Sequence, residues 1–281
     1  TSISRWLSVI GIGEDGFNSL SAVARSALAS AEILVGGDRQ LAMVPEDDRE
    51  RIVLGSSLAT AIERVRKMAG RPVAVLATGN PMWFGIGATL SRTVSPEEMR
   101  IIPAPSAFSL AASRLGWRMA EVDCLTVHGR SIDRVRYFLS PEMRIIILSH
   151  DGKTPAQVAS ILREAGYGRS TLTVFTHMSG PDEDMFAHTA DEWGNLAVAD
   201  FNTIAIHCRA GPDTRMLSRS PGLPDNAFYH DGNITKQEIR AATLAALIPM
   251  PGQLLWDVGA GHGTVAIEWM RSDPKGTTRA I

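Results

Sequence analysis

Short apolar runs alternate with stretches of helical spacing from the start of the chain. Trp6 to Ile12, apolar apart from Ser8 and Gly11, reads as a buried strand, Leu20 to Ser30 places apolar residues at helical intervals, and Glu32 to Val35 returns to a strand pattern. Leu58 to Met68 predicts a second amphipathic helix and Val73 to Ala77 a third strand. A Gly-rich loop follows over 78–87, with a helix continuing through Leu90. Arg100 to Ile102 then predicts a short strand and Ala107 to Leu115 the helix after it. Strands alternating with helices predict a mostly parallel sheet. A second series has strands at Leu125 to His128, Arg144 to Ser149, Leu172 to Thr176 and Thr203 to His207, and a helix at Pro155 to Glu164 stopped by Gly166. Turn residues between Thr176 and Asp200 predict a hairpin, which makes this second sheet mixed.

Gly211 to Asp225 is rich in Pro, Gly, Ser and Arg and reads as a linker. After it, Thr235-Lys236-Gln237-Glu238 fits a capping box that opens a helix through Leu247. Leu254 then starts an apolar strand that runs into three alternate glycines, Gly259, Gly261 and Gly263, ahead of a helix from Val265 to Arg271. The expected organisation is two α/β halves (about 1–116 and 117–213), a linker (214–230), and the front of a further α/β unit (231–281).

Composition narrows the class. The 281 residues are 44% hydrophobic, enough for a sizeable core, and 28 basic against 30 acidic residues give no global field for nucleic acid or an anionic membrane. An acidic small molecule would need locally placed Arg and Lys. Cys124 and Cys208 are too far apart for a metal-ligand spacing and form no disulfide framework, so two buried thiols and no metal site are expected. No apolar run approaches the ~20 residues that span a bilayer, and the N-terminus lacks a signal-peptide pattern. A cytoplasmic protein is expected.

The chemistry concentrates in glycine loops after strands. Gly11, Gly13 and Gly16 follow the first strand in a GxGxxG pattern, which is either a dinucleotide fingerprint, with Asp38 as ribose ligand, or a tight turn without a ligand. Helical patterning resumes only near Ser19 and Asp38 follows Gly36-Gly37, which counts against a nicotinamide cofactor. Ala77 to Gly85 is a second loop, where Pro81 forces Asn80 into an extended conformation that can aim its side chain into a crevice. Pro103-Ala104-Pro105-Ser106-Ala107 is a third. Three such loops on one sheet edge point to a cofactor cleft.

The segments VIGIGEDG, ATGNPMWFG and PAPSAFSLAASRLG, in that order, resemble the tetrapyrrole methylase family, whose members bind S-adenosylmethionine between two α/β halves. The family's usual forms are GxGPG, GDPxxxG and PGxSA before a helix ending in LG. Asn80 here stands for the usual Asp, keeping a carbonyl and losing the charge, and Glu14-Asp15 stand for Pro-Gly. Within the family, Gly36 to Leu41 and Thr126 to Arg130 resemble the cobalamin-pathway branch that methylates precorrin-6Y at C5 and C15. That branch carries a second, Rossmann-like methyltransferase domain that decarboxylates an acetate arm. Ile234 to Arg240 and Leu255 to Gly263 are similar to the opening of that domain. The resemblance therefore implies a class III methylase fold followed by a truncated class I methyltransferase domain, and a homodimer formed through the second half.

By the same resemblance, S-adenosylmethionine lies against Thr78, Gly79, Asn80 and Trp83, with Ser106 and Ala107 on the next loop. Asp151 and Met178, in Ser149-His150-Asp151 and Thr176-His177-Met178, close over it. Thr235, Gly259, Gly261 and Gly263 match cofactor-contacting positions of the second domain, while the spacing of His262 does not support a base there. Gly11 and Gly13 fall on the substrate side. Methyl transfer from a sulfonium needs orientation and exclusion of water. A meso-carbon acceptor can also use a base. His128, with Asp15 behind it, is the candidate, against a strand-end histidine bonded to a backbone carbonyl. Arg39 and Arg130 offer forks for acetate and propionate arms, or surface ion pairs. Trp83, Phe84 and Phe108 pack on adenine or macrocycle, or in the core. The competing functions are another precorrin or uroporphyrinogen methylase or a diphthine synthase, an NAD(P)-dependent oxidoreductase reading Gly11, Gly13 and Gly16, and a tetrapyrrole-binding module. The appended methyltransferase opening argues against the first group.

Overall fold

The computed structural model describes residues 5–55, 57–194, 196–212 and 214–281. It divides into two compact units, Thr1–Pro212 and Asp213–Ile281, and Asp213, the last residue of the expected second half, lies outside the described residues.

The first unit opens with β1 (Leu7–Ile12), α1 (Ala22–Ala29), β2 (Ile33–Gly36), α2 (Asp38–Ala42), β3 (Glu50–Val53), α3 (Leu58–Lys67), β4 (Val73–Thr78), α4 (Ile86–Leu90), β5 (Met99–Ile102) and α5 (Ala107–Leu115). The strands form one sheet in the order β3-β2-β4-β1-β5, with the paired strands parallel. β1, β2 and β4 are apolar almost throughout, apart from Ser8 in β1 and Thr78 at the end of β4, because both their faces are covered. Ile10, Leu34 and Leu76 pack under Leu28 of α1, and Val9, Val35 and Val75 pack on the other face under Val65 of α3 and Leu90 of α4. The chain leaves β1 toward β2 and leaves β4 toward β5, in opposite directions across the sheet. The carboxyl ends of β1 and β4 therefore form a topological switch point, where open α/β sheets hold ligands.

The second half contributes β6 (Val122–Thr126), α6 (Val135–Phe138), β7 (Arg144–Leu148), α7 (Thr154–Glu164), β8 (Thr171–Thr176), β9 (Asp184–Thr189) and β10 (Asn202–His207), in the sheet order β6-β7-β10-β8-β9. β6 and β7 are parallel and the remaining pairs antiparallel, with β8 and β9 forming the expected hairpin. β8 thus runs in the same direction as β6 and β7, and the three carboxyl ends share one edge. α5 joins the halves: Phe108, Ala111 and Ala112 bury against Ile146, Phe175 and Ala205 of the second sheet. β6 ends at Thr126, so His128 lies in the following turn, where the Arg130 N–H donates to Val127 O at 3.2 Å.

The second unit holds α8 (Gln237–Leu247), β11 (Leu254–Asp257), α9 (Thr264–Ser272) and β12 (Thr277–Ala280), with β11 and β12 parallel. The expected capping box is absent. Lys236 is the N-cap of α8 and no side chain caps it, while the Thr235 carbonyl accepts from the Arg240 guanidinium. Arg240 is fully buried, and its Nε lies 2.9 Å from Glu268 Oε1 and its Nη1 2.8 Å from Asp225 Oδ1. Glu268 also accepts the Gly222 and Leu223 N–H groups at 2.6 and 3.0 Å, so both charges are paired inside the unit.

Candidate functional site

The loops leaving β1, β4 and β5 are stitched together by backbone. The Gly79 N–H donates to Ile12 O at 3.0 Å, and the Ala104 N–H donates to Gly79 O at 3.2 Å. Gly11 is required by this approach, because a Cβ there would sit 1.9 Å from Gly79 O. Gly79 has φ +59°, and its Cβ would meet Pro105 O at 3.0 Å and Ser106 Cα at 3.2 Å, so a side chain would strike the next loop before any ligand. Gly13 borders Asp15, whose Oδ1 a Cβ would approach to 2.6 Å. After Gly16 comes one 3₁₀ turn, and α1 begins only at Ala22, capped by Ser21. The glycines therefore do not present a helix N-terminus, which the dinucleotide reading needs.

Beyond Gly79 the Asn80 side chain turns inward on its own loop, accepting from the Met82 N–H at 3.0 Å. Trp83 and Phe84 follow, 38% and 42% exposed, with ring centroids 5.0 and 5.9 Å from the buried Phe108 ring. Phe108 is core, and the exposed aromatic surface belongs to Trp83 and Phe84. Phe84 holds a left-handed φ of 57°, and the Arg130 guanidinium carbon lies 5.2 Å from its ring centroid. Ser106 is buried as the N-cap of α5, accepting from the Ser109 N–H at 3.2 Å, and Ala107 opens that helix.

On the second sheet's edge, the His128 and His150 rings lie tilted against each other with centroids 5.2 Å apart. Asp151 Oδ1 accepts the Lys153 and Thr154 N–H groups at 2.9 and 3.1 Å. Desolvation pushes its carboxyl up, but these bonds outweigh it and hold the group below the usual range. The Ser149 hydroxyl is buried without a hydrogen-bond partner among the described residues. Met178 is buried beside Phe108 and Phe175, between His177 (φ 48°) and Ser179 (φ 67°). Left-handed non-glycine residues are uncommon and concentrate at functional sites.

One expected pair does not form. Asp15 is exposed and makes no contact with His128 among the described residues, whereas its neighbour Glu14 turns inward. Glu14 accepts from His177 Nδ1 at 3.1 Å and from the Arg39 guanidinium. Arg39 also donates to Thr78 Oγ1 at 3.1 Å and lies 3.6 Å from the Phe201 ring centroid, while Gln40 Nε2 donates to Thr78 at 2.7 Å. Arg39 is thus engaged within the protein, and burial lowers its pKa against the opposing pull of Glu14. The only sequence signal for Glu14 was its place where the methylase motif has Pro.

In the second unit, Gly259, Gly261 and Gly263 have φ of 75°, 54° and 68°, with open space where a Cβ would stand. The Gly259 and Ala260 N–H groups donate to Ile281 O at 2.8 and 3.2 Å, and Asp257 Oδ2 is buried without a hydrogen-bond partner among the described residues. His262 Nε2 lies 2.9 Å from Asp231 Oδ1.

Elsewhere, a cavity of about 690 Å³ opens at the opposite edge of the second sheet, beside Asp123, Arg144 and His207. His207 and Arg209 there both lie on Glu142, and Arg144 lies on Glu121. Both cysteines are free, and burial pushes the Cys124 thiol to about 11 and the Cys208 thiol to about 12. Among the described residues no cluster suits a metal ion and no helix is long and apolar enough to cross a membrane.

Comparison with known proteins decides the family. The model of tetrapyrrole (corrin/porphyrin) methylases matches residues 7–193. The chain belongs to the tetrapyrrole methylase family. A precorrin methyltransferase domain model matches residues 226–281 of this methylase. It is 41% identical to a Sinorhizobium protein named precorrin-6Y C(5,15)-methyltransferase [decarboxylating], over 99% of this chain and 67% of that one. A Mycobacterium tuberculosis protein of the same name is 39% identical over 97% of this chain and 68% of its own length. Among solved structures, a precorrin-6Y methylase from Archaeoglobus fulgidus matches with TM-score 0.57 at 22% identity, covering 74% of this chain and all (100%) of that one. A Thermus thermophilus uroporphyrin-III C-methyltransferase complexed with S-adenosylhomocysteine matches with TM-score 0.57 at 20% identity, covering 72% and 96%. Family membership overturns the oxidoreductase reading of Gly11, Gly13 and Gly16.

Proposed function

We propose that this methylase transfers methyl groups from S-adenosylmethionine to carbon on precorrin-6Y, in cobalamin biosynthesis. The observation that carries the reading is the 41% identity over 99% of the chain, which spans both the methylase unit and the precorrin methyltransferase segment. A uroporphyrinogen methylase or diphthine synthase is disfavoured by that second segment. We assign 231–281 to the opening of the class I domain, with Thr235, Gly259, Gly261 and Gly263 toward its cofactor, and loss of the acetate carboxyl to that domain.

The methyl-donor site we assign to the cleft at the switch point. Its residues fit the group: exposed Trp83 and Phe84 offer an aromatic surface for adenine, and the unpartnered buried Ser149 hydroxyl offers a polar contact. When bound, S-adenosylmethionine supplies an electrophilic methyl on sulfonium. The chain orients and shields it through the backbone of Gly79 and Asn80, the loop of Ser106 and Ala107, and the segments at Asp151 and Met178. To Arg130, whose exposed guanidinium lies beside Phe84, we assign a substrate carboxylate. We extend the reading to a cytoplasmic homodimer, supported by two free cysteines and by the exposed Met185 on edge strand β9. Calorimetry with S-adenosylhomocysteine and with NADH tests the reading: S-adenosylhomocysteine alone should bind, and binding of NADH alone would overturn it.

A further inference from the structure

We infer that His177 is a general base of the methyl-transfer cleft and that Glu14 is the positioning residue that sets its tautomer. This rests on the assignment of that cleft to C-methylation. Glu14 Oε2 and His177 Nδ1 are 3.1 Å apart, and the Glu14 side chain is only 13% exposed. An ionised carboxylate can only accept, so Nδ1 carries the proton of this bond. Nε2 is then the lone-pair nitrogen, and it makes no hydrogen bond among the described residues. A carboxylate that fixes one imidazole nitrogen and leaves the other free is the arrangement a general base requires.

Three further observations fit a functional dyad. Glu14 is pinned by the Arg39 guanidinium, and Arg39 is wedged against Phe201 and Thr78. His177 sits past the end of β8, on the sheet edge that also carries His128 and Ser149, in a left-handed conformation (φ 48°) that tertiary contacts must hold. Those contacts are close, since a Cβ on Gly180 would lie 2.9 Å from Glu14 Cβ. The groups facing the imidazole are Glu14, Arg39 behind it, and the Phe201 ring at 5.8 Å. By contrast, His128 has a second imidazole beside it and, among the described residues, no carboxylate hydrogen-bonded to it.

The step balances simply. The acceptor carbon gains a bond to the methyl carbon as the sulfur–methyl bond breaks and sulfur keeps the electron pair. The acceptor, now cationic, loses a proton to Nε2, and the imidazolium is stabilised by Glu14.

The test uses the full chain, radiolabelled S-adenosylmethionine and precorrin-6Y, with S-adenosylhomocysteine affinity measured in parallel. His177→Asn suits the left-handed backbone, since Asn tolerates that region, and should lower turnover by roughly 100-fold or more while affinity stays within about threefold. Glu14→Gln should keep affinity and lower turnover, because an amide can either accept from or donate to the ring and no longer fixes which imidazole nitrogen carries the proton. Wild-type turnover in His177→Asn overturns the inference. Parallel loss of affinity and turnover overturns it too and makes the pair a structural clasp. If wild-type chain binds S-adenosylhomocysteine but methylates nothing, the functional reading fails first and the base falls with it.

Discussion

A Cβ on Gly11 would lie 1.9 Å from the carbonyl oxygen of Gly79 and 2.6 Å from the Ala104 nitrogen. The two glycines are therefore linked: β1 approaches Gly79 closely enough that Gly11 tolerates no side chain, and Gly79 in turn tolerates none because the β5 loop at Pro105 and Ser106 closes over it.

Gly11→Ala should destabilise the first unit by about 3 kcal/mol, because the clash is with backbone and no rotamer relieves it. Gly55→Ala, where a Cβ meets nothing within 4 Å, should stay within about 0.5 kcal/mol. Urea midpoints of the two variants check this, and equal midpoints would contradict it.

Removing one partner of the Arg240–Glu268 pair leaves a buried charge uncompensated. Glu268→Ala or Arg240→Ala should cost the second unit about 3–5 kcal/mol. The unit should then be cut by protease under conditions where wild type resists. Survival of Glu268→Ala at the wild-type rate would show that the pair is not what orders this unit.

The pair Arg114–Glu183 predicts an acid dependence. A hydrogen bond from Arg114 holds the Glu183 carboxyl below its usual 4.5, against a smaller upward push from desolvation. The folded state therefore binds this proton less readily than the unfolded chain, so the contribution is present above that value and is lost as pH falls below it toward the depressed one. Glu183 Oε2 also accepts the Ser179 N–H at 2.6 Å, so the β8 exit loop should loosen with it. Thermal melts from pH 7 to pH 3 should fall less steeply in Arg114→Met than in wild type, and parallel curves would refute the assignment.

What was legible in the sequence follows from where its causes lie. α5 was readable residue for residue as Ala107–Leu115 because both its stops are local, the Ser106 cap and the left-handed Gly116. β1 and β4 showed as apolar runs because both faces are buried. β3 was invisible because it is an edge strand of Glu50, Arg51, Ile52 and Val53 with little burial, and the five-residue α2 offers no helical period. β6 was displaced because Asp123 and Cys124 interrupt its pattern. The capping box failed because the helix starts one residue later than its spacing requires, with Lys236 instead of Thr235 as the N-cap. At the site, the glycine loops were legible as motifs, whereas Glu14 was not, because its partner His177 is 163 positions away. Asp15 carries the same charge one residue on and faces solvent, a difference only the fold decides.

The central claim is C-methylation at the cleft around Gly79. Its most direct test is mass analysis of precorrin-6Y after incubation with S-adenosylmethionine and either the wild-type chain or Gly79→Val, whose side chain would strike Pro105 and Ser106. A methylated product with wild type and none with folded Gly79→Val is expected. Equal methylation by both would contradict the account.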